Sequence, residues 1–159
     1  MASNPPQALR LTLAYQGGQV TVVGSERVAM IVPATIAEQP AAGQTGYWFA
    51  VIDDAGRVLY HRPLHQPIRI DVEAFAPDPQ QSIARVATAT RDGWFTVLIP
   101  DIPEAHAFEL HGPVAPERPD EPARPLLRMG VDALRRMKPP TNTGVPVPAS
   151  GTPPRGTKP

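Results

Sequence analysis

The stretch that decides the fold is residues 47–62, YWFAVIDDAGRVLYHR. Its first six residues are mostly aromatic or β-branched, a composition enriched in strands. Residues 53–56 (DDAG) have hairpin-turn chemistry, because aspartate tolerates a tight backbone and glycine readily adopts positive φ. Residues 57–62 then return as a second strand. The stretch therefore predicts a β-hairpin within an antiparallel sheet.

Short strand patterns recur on both sides of this hairpin. Residues 9–15 (LRLTLAY) alternate apolar with polar or small residues, the period of a strand with one buried face. Residues 20–23 and 28–32 are predicted as two short strands or as one strand bent at Gly24. Further strands are predicted at 68–73, 83–90, 94–99 and 105–111, with Gly, Pro or Asp turns between them. Residues 94–99 are the most β-prone and are expected to be central. No helical pattern interrupts the series, so we predict an all-β, immunoglobulin-like antiparallel β-sandwich over residues 8–112.

The C-terminal part of the chain has a different composition. The chain holds 22 prolines and 12 glycines, about a fifth of its residues against roughly 12% on average, and many lie near this end. Residues 113–123 have the Pro, Glu and Arg content of a linker. Residues 124–138 carry apolar side chains at helical spacing, which predicts a short amphipathic helix. We expect residues 139–159 to form a disordered, Pro-rich tail.

The predicted helix is the strongest candidate for partner binding, since a helix this short is marginal in water unless it docks. Docking on its own domain is an equally good alternative at this point. The candidate partner-binding residues are Leu126, Leu127, Val131, Leu134, Arg128 and Arg135.

Charge and cysteine usage exclude several classes of protein. Residues 1–112 carry 7 Arg against 11 Asp plus Glu, and residues 113–159 carry 8 Lys plus Arg against 4 acidic residues. This split is too mild for a dedicated nucleic-acid binder. The chain has no cysteine, so it lacks disulfides and thiolate metal sites. No apolar run approaches the ~20 residues of a membrane span, and residues 1–7 do not resemble a signal peptide, so we expect a cytoplasmic protein.

The residues that could carry catalysis or bind metal have simpler explanations. The four histidines are His61, His65, His106 and His111. Pro63 lies between His61 and His65, so these two cannot share a helix face. His106 and His111 are five positions apart and would point to opposite faces of a strand, so no metal site is expected. Asp53 and Asp54 suit a turn. No serine lies in a GxSxG motif and no phosphate-binding glycine loop is present. We therefore predict a protein that is not an enzyme and has no cofactor.

The aromatic residues offer a second kind of binding surface. A small sandwich normally buries its tryptophans, so Trp48 and Trp94 are expected to be largely inside. If Trp48 points inward, strand alternation turns Tyr47 and Phe49 outward. Tyr47 and Phe49 are thus a candidate surface patch.

The order LRLTLAY, YWFAVIDDAGRVLYHR and WFTVLIPDIPEAHAFELHG, across about residues 9–112, resembles the non-catalytic N-terminal β-domain of bacterial IgA-peptidase-like zinc metallopeptidases. Its most specific part is the hairpin at 51–60. The chain contains no HExxH zinc motif, so the resemblance implies an accessory β-sandwich and carries over no catalytic residue.

These observations predict a non-catalytic protein–protein interaction or assembly module. It would dock on another protein subunit or effector through the sandwich surface, the C-terminal amphipathic segment, or both. The alternative is a carbohydrate-binding β-sandwich that uses exposed aromatic rings. An unrecognised enzyme with a site built from loops is a third hypothesis.

Overall fold

A computed structural model of the chain describes residues 6–35, 40–68, 71–74, 84–87, 92–115 and 118–141. These residues form strands β1 (Gln7–Gln16), β2 (Gln19–Ala29), β3 (Tyr47–Ile52), β4 (Val58–Leu64), β5 (Asp71–Ala74), β6 (Ala84–Ala87), β7 (Asp92–Pro100), β8 (Ala107–Gly112) and β9 (Arg124–Gly130), and one helix, α1 (Val131–Arg136). The protein is mostly β. Within the described residues, two antiparallel sheets of three and four strands and one short helix are consistent with the predicted β-sandwich.

The three-stranded sheet has the order β2-β1-β7. β1 and β2 form a hairpin around Gly17 and Gly18, whose positive φ angles of 55° and 88° suit the tight turn. Of the two alternatives for this region, the structure has the single strand, and Val23 next to Gly24 forms a bulge opposite the step from Thr12 to Leu13. β1 is the central strand. The expectation that 94–99 is central is wrong for the described strands, since β7 there pairs only with β1.

The four-stranded sheet has the order β4-β3-β8-β9. The predicted hairpin at 47–62 is confirmed as β3 and β4, paired from Tyr47↔Leu64 to Ile52↔Val58. The turn is held by Asp53, whose Oδ1 accepts hydrogen bonds from the N–H groups of Ala55 at 2.9 Å and Arg57 at 2.8 Å. Short-range side-chain chemistry therefore defines this hairpin.

A large apolar core lies between the two sheets. β1 contributes Leu9, Leu11 and Leu13, each no more than 1% exposed, and β8 contributes Phe108 and Leu110, both fully buried. At ~25 cal/mol per Å² of apolar surface, fully burying one such side chain stabilises the fold by about 1.5–3 kcal/mol. The core therefore holds the two sheets together.

The C-terminal segment differs from its prediction. Residues 124–130 are not helical: they form β9, which pairs antiparallel with β8 from Ala107↔Gly130 to Gly112↔Arg124. Helix α1 spans only six residues after it. Gly130, placed in the middle of the predicted helix, instead has extended angles (φ −64°, ψ 135°) and separates strand from helix. The strand forms because β8 offers an edge that satisfies its backbone hydrogen bonds.

Other predicted segments are described only in part. β5 and β6 pair with each other as a two-stranded sheet. β6 lies inside the predicted strand 83–90, and β5 overlaps the predicted strand 68–73 but extends one residue beyond it. Residues 113–115 and 118–123 of the predicted linker contain no strand or helix, although Pro122 forms an isolated bridge with Thr45. Most of the predicted tail, residues 142–159, lies outside the described residues.

Candidate functional surfaces

The outer face of the three-stranded sheet carries an exposed tryptophan. Leu11 and Leu13 point into the core, so Thr12 and Ala14 between them point outward. Residues directly opposite on neighbouring strands share a face, and Ala14 lies opposite both Thr21 and Trp94. Trp94 therefore points outward, and its side chain is 60% exposed. The expectation that both tryptophans lie inside is wrong for this one.

We define the Trp94 face as the outward residues around this tryptophan: Thr12, Ala14, Thr21, Trp94 and Thr96. None of the five is charged. Charged side chains begin one row further along the sheet, where Arg10 lies opposite Glu26 and forms an ion pair with it. At the other end, Gln16 lies opposite Asp92. The face is thus an uncharged patch with one large aromatic ring and a polar rim.

The outer face of the four-stranded sheet holds a second aromatic cluster, made of Trp48, His61 and His111. The His111 ring stacks on the Trp48 ring, with centroids 3.8 Å apart and planes within 5°. The His61 ring meets Trp48 edge-on at 5.3 Å and 71°. The three come together because β3 lies between β4 and β8, with Trp48 opposite His111 and Ala50 opposite His61.

A line of charged groups continues from this cluster toward solvent. His111 Nε2 lies 3.1 Å from Glu109 Oε2, and Arg128 Nη1 donates to Glu109 Oε1 at 2.9 Å. Both oxygens of Glu109 are therefore already engaged. His111 has a carboxylate beside it that can accept a hydrogen bond from its ring.

His61 differs from His111 in having no polar partner for its ring. It is 4% exposed, and neither of its ring nitrogens has a hydrogen-bond partner among the described residues. The indole N–H of Trp48 is likewise unpartnered among them. Burial lowers the pKa of His61 below its ordinary value, and the charge of nearby His111 lowers it further. Its neutral form is therefore favoured in the folded protein.

Residues 33–35, which we call the strap, run along β4 next to this cluster. Thr35 Oγ1 donates to the carbonyl oxygen of His61 at 2.8 Å and accepts from the His61 N–H at 3.3 Å. The Tyr60 hydroxyl donates to the Pro33 carbonyl at 2.7 Å. Burial raises the pKa of Tyr60, which keeps this hydroxyl a donor. The strap thus satisfies main-chain groups of β4 at His61.

The predicted partner-binding residues are used within the fold. Val131 and Leu134 are fully buried in the main core, and Leu126 and Leu127 pack against it half-buried. Arg128 is paired with Glu109. Arg135 donates from Nε to Asp101 Oδ1 at 2.8 Å and from Nη2 to the Ile102 carbonyl at 2.7 Å. The apolar face of the segment is therefore not available to a partner in this structure.

The candidate surface patch at Tyr47 and Phe49 is also wrong. Tyr47 is 8% exposed and Phe49 is 2% exposed, and both belong to the main core. β3 does alternate, but Tyr47 and Phe49 point into the main core and Trp48 points to the other face. Trp48, Ala50 and Ile52 form a separate cluster on the outer face, and Ala123 packs against it.

The remaining candidate groups lie apart from one another in the described part of the chain. His65 and His106 are exposed and lie outside the Trp48 cluster. No group of three or more His, Asp or Glu side chains with metal-binding geometry occurs among the described residues. Asp53 serves the hairpin turn, where Arg57 Nε also donates to its Oδ2 at 2.7 Å.

Neither the Trp94 face nor the Trp48 cluster was predicted from the sequence, for different reasons. His61 and His111 are 50 positions apart, and only the sheet order brings them together. The outward position of Trp94 did have a local signal, because Phe95, Val97 and Ile99 alternate as an inward-facing set. The prediction that Trp94 lies inside follows the general tendency of tryptophan to be buried and not this alternation.

Comparison with known proteins adds no relative. No protein-family model matches the chain, and neither a curated protein nor a solved structure matches it. Within the described residues, no helix has the length and apolar character to cross a membrane.

Proposed function

We propose that this protein is a non-catalytic interaction module that binds another protein through the Trp94 face. The observation that carries the proposal is the 60% exposed side chain of Trp94 at one end of an otherwise uncharged sheet face. Centres of protein interfaces are depleted in charge and enriched in aromatic residues, with polar residues at the rim. The Trp94 face matches this pattern in its lack of charge, its exposed aromatic ring, and the charged residues Arg10, Glu26 and Asp92 at its two ends.

The chemistry of the face indicates the chemistry of the partner. A tryptophan among threonine and alanine offers apolar contact area and hydroxyl groups, and no fixed charge. We infer a partner surface that is itself apolar and uncharged at its centre. Trp94 would be its main energetic anchor, because tryptophan is the residue type most enriched among binding hot spots.

The docking surface is thus placed on the Trp94 face and not on the C-terminal segment. The apolar side chains of residues 124–136 pack within the protein's own fold, so the sandwich surface is the better candidate. An accessory, non-catalytic role agrees with the layout resemblance to the peptidase β-domain.

We further propose that the sandwich is immunoglobulin-like. The order β4-β3-β8-β9 corresponds to the C′-C-F-G order of variable-type immunoglobulin sheets, and β1 beside β7 corresponds to strand B beside E. β2 departs from that plan, because it follows β1 in the chain yet occupies the place of strand A.

The test is affinity capture from native extract with the full chain and two variants. Trp94→Ala removes the proposed anchor. Ile31→Ala is the matched control, because Ile31 is a 77% exposed apolar residue that is not part of the face. A stoichiometric partner should bind the wild type and Ile31→Ala with similar affinity, and Trp94→Ala should weaken binding at least about 30-fold, as for a hot-spot residue. Equal binding by all three proteins, or no partner for any, contradicts the proposal.

A carbohydrate-binding module is the second candidate, and the same exposed ring favours it. An exposed tryptophan on a flat sheet can stack against the apolar face of a sugar. The chain has 2 tryptophans, so the Trp94→Phe variant reports on Trp48 alone. Saturable quenching of fluorescence by a sugar that is lost in Trp94→Phe would favour this candidate over protein binding. Unchanged spectra across a sugar panel would eliminate it.

A further inference from the structure

We propose that His61 makes the strap an acid-sensitive latch, in which protonation of the His61 ring releases Thr35 of the strap from β4. This device lies on the four-stranded sheet and is independent of the Trp94 face. It depends on two features of His61: an unpartnered buried ring and a main chain that anchors the strap.

The ring has no acceptor for a second proton among the described residues. From β3 the ring meets Trp48 edge-on, and the residue paired with His61 on that strand, Ala50, is also uncharged. From the strap, the uncharged Thr35 bonds to the main chain of His61. From β8 the nearest titratable group is His111, which adds repulsion if it is charged. Glu109 behind it already binds His111, and Arg128 from β9. On β4 itself, Arg62 Nη1 donates to the Ala34 carbonyl at 3.4 Å.

A charged and unpartnered imidazolium is expensive to keep buried. Protonation therefore drives the ring away from Trp48 toward water. The strap is bonded to the carbonyl and N–H of the same residue, through Thr35 Oγ1. In the proposed latch, the β4 main chain shifts with the departing ring, and this shift breaks the two hydrogen bonds to Thr35.

His111 does not have the same effect. Its Nε2 lies beside the Glu109 carboxylate, so a proton on His111 forms a charge-assisted hydrogen bond in place. The two histidines of one cluster thus respond differently to acid. Only His61 must leave its position to carry charge.

The direction of the pH effect follows from linkage. In the closed state the His61 ring is buried and its pKa is lowered, and in the open state the ring is in water. At a pH well above the ordinary value of 6.5, His61 is neutral in both states and the latch is closed. As the pH falls below 6.5, the open state binds a proton that the closed state does not. The open fraction then rises by up to about tenfold per pH unit, until the pH reaches the pKa of the closed state.

The experiment is NMR hydrogen exchange on the full chain between pH 7.5 and 5.5, corrected for intrinsic exchange rates. The probe is the His61 amide, which donates to Thr35. We expect its protection to fall over this range, by no more than about tenfold, while the β1 amides change little. His61→Phe keeps the edge contact with Trp48 but cannot titrate, so its amide protection at this position should be independent of pH. His65→Phe, at an exposed histidine on the same segment, should behave as the wild type.

Two results would overturn the latch. One is protection of the His61 amide that does not change with pH in the wild type, and the other is wild-type pH dependence retained in His61→Phe. The wild type also provides a test that needs no variant: a His61 ring that titrates at or above 6.5 in the folded protein contradicts the proposal. None of these results bears on partner binding at Trp94.

Discussion

The phenol ring of Tyr15 lies across Gly93, its direct partner on the neighbouring strand. A β-carbon added to Gly93 would lie 2.5 Å from Tyr15 Oη and 2.6 Å from Cζ. The four-stranded sheet repeats the arrangement, since a β-carbon on Gly112 would lie 2.5 Å from Tyr47 Cδ1. In each sheet a tyrosine thus covers a glycine on the adjacent strand and completes the packing there.

Gly93→Ala should therefore destabilise the protein by about 1–3 kcal/mol, because the tyrosine ring must shift out of a packed position. Gly130→Ala is the matched control. Its β-carbon would have no neighbour closer than the His106 carbonyl oxygen at 4.0 Å, so we expect a change within about 0.5 kcal/mol or a slight gain. Urea unfolding of both variants measures the difference. Equal stabilities would show that the Tyr15 ring moves aside at no cost.

Asp101 is the main electrostatic contact of helix α1. Its two carboxylate oxygens accept from Arg135 Nε and Arg27 Nε, each at 2.8 Å, and its side chain is 9% exposed. Asp101→Asn removes the carboxylate that Arg27 and Arg135 share and leaves Arg135 with only the exposed Asp132, so we expect a loss of about 2–4 kcal/mol. Asp132 is the other carboxylate that pairs with Arg135, and its side chain is 81% exposed. Asp132→Asn should therefore cost no more than about 0.5 kcal/mol. Thermal unfolding of the two variants separates these outcomes, and similar losses for both would contradict a special role for Asp101.

The hairpin at β3 and β4 was predictable because its determinants are local. Asp53 bonds to Ala55 and Arg57, two and four residues away, so the turn can be recognised without any knowledge of the rest of the fold. The alternation along β1 was equally informative, since Leu9, Leu11 and Leu13 occupy the core as their period indicates.

The C-terminal segment could not be resolved by the same reasoning. Apolar residues at 126, 127, 131 and 134 fit a helix, and they fit equally a strand followed by one helical turn. The choice depends on whether β8 has a free edge, and that is a property of the sheet order. The Trp48, His61 and His111 cluster was missed for the same reason, because it requires knowing that β3 separates β4 from β8.

The turn aspartate should contribute to stability in a pH-dependent way. Burial alone raises the pKa of Asp53, but hydrogen bonds from the Arg57 main chain and guanidinium, with that from Ala55, lower the pKa by more. The net pKa is below the ordinary 3.8, so the stabilisation is fully present above 3.8 and is lost as the pH falls through the folded-state pKa.

Asp53→Asn should therefore be less stable than the wild type at neutral pH and should lose less further stability on acidification to about pH 2.5. Asp54→Asn, at the exposed neighbouring position, should retain the wild-type acid profile. Chemical denaturation midpoints measured across this pH range make the comparison. If Asp53→Asn and the wild type lost stability in parallel below pH 3.8, the carboxylate would not be the group responsible.

The last strand and helix should prove to be part of the folding unit and not an appendage. Leu134 is fully buried in the main core, so Leu134→Ala should cost about 2–5 kcal/mol, as for other leucines truncated in cores. Arg136→Ala, two residues away and exposed, should change stability by no more than about 0.5 kcal/mol. A chain ending at residue 123 would also leave the β8 edge unpaired and the core open at Val131 and Leu134, so it should show no cooperative unfolding transition. If that shortened chain still unfolded cooperatively with native-like stability, the segment would be a separate docking element, which is one of the two alternatives that the sequence pattern leaves open.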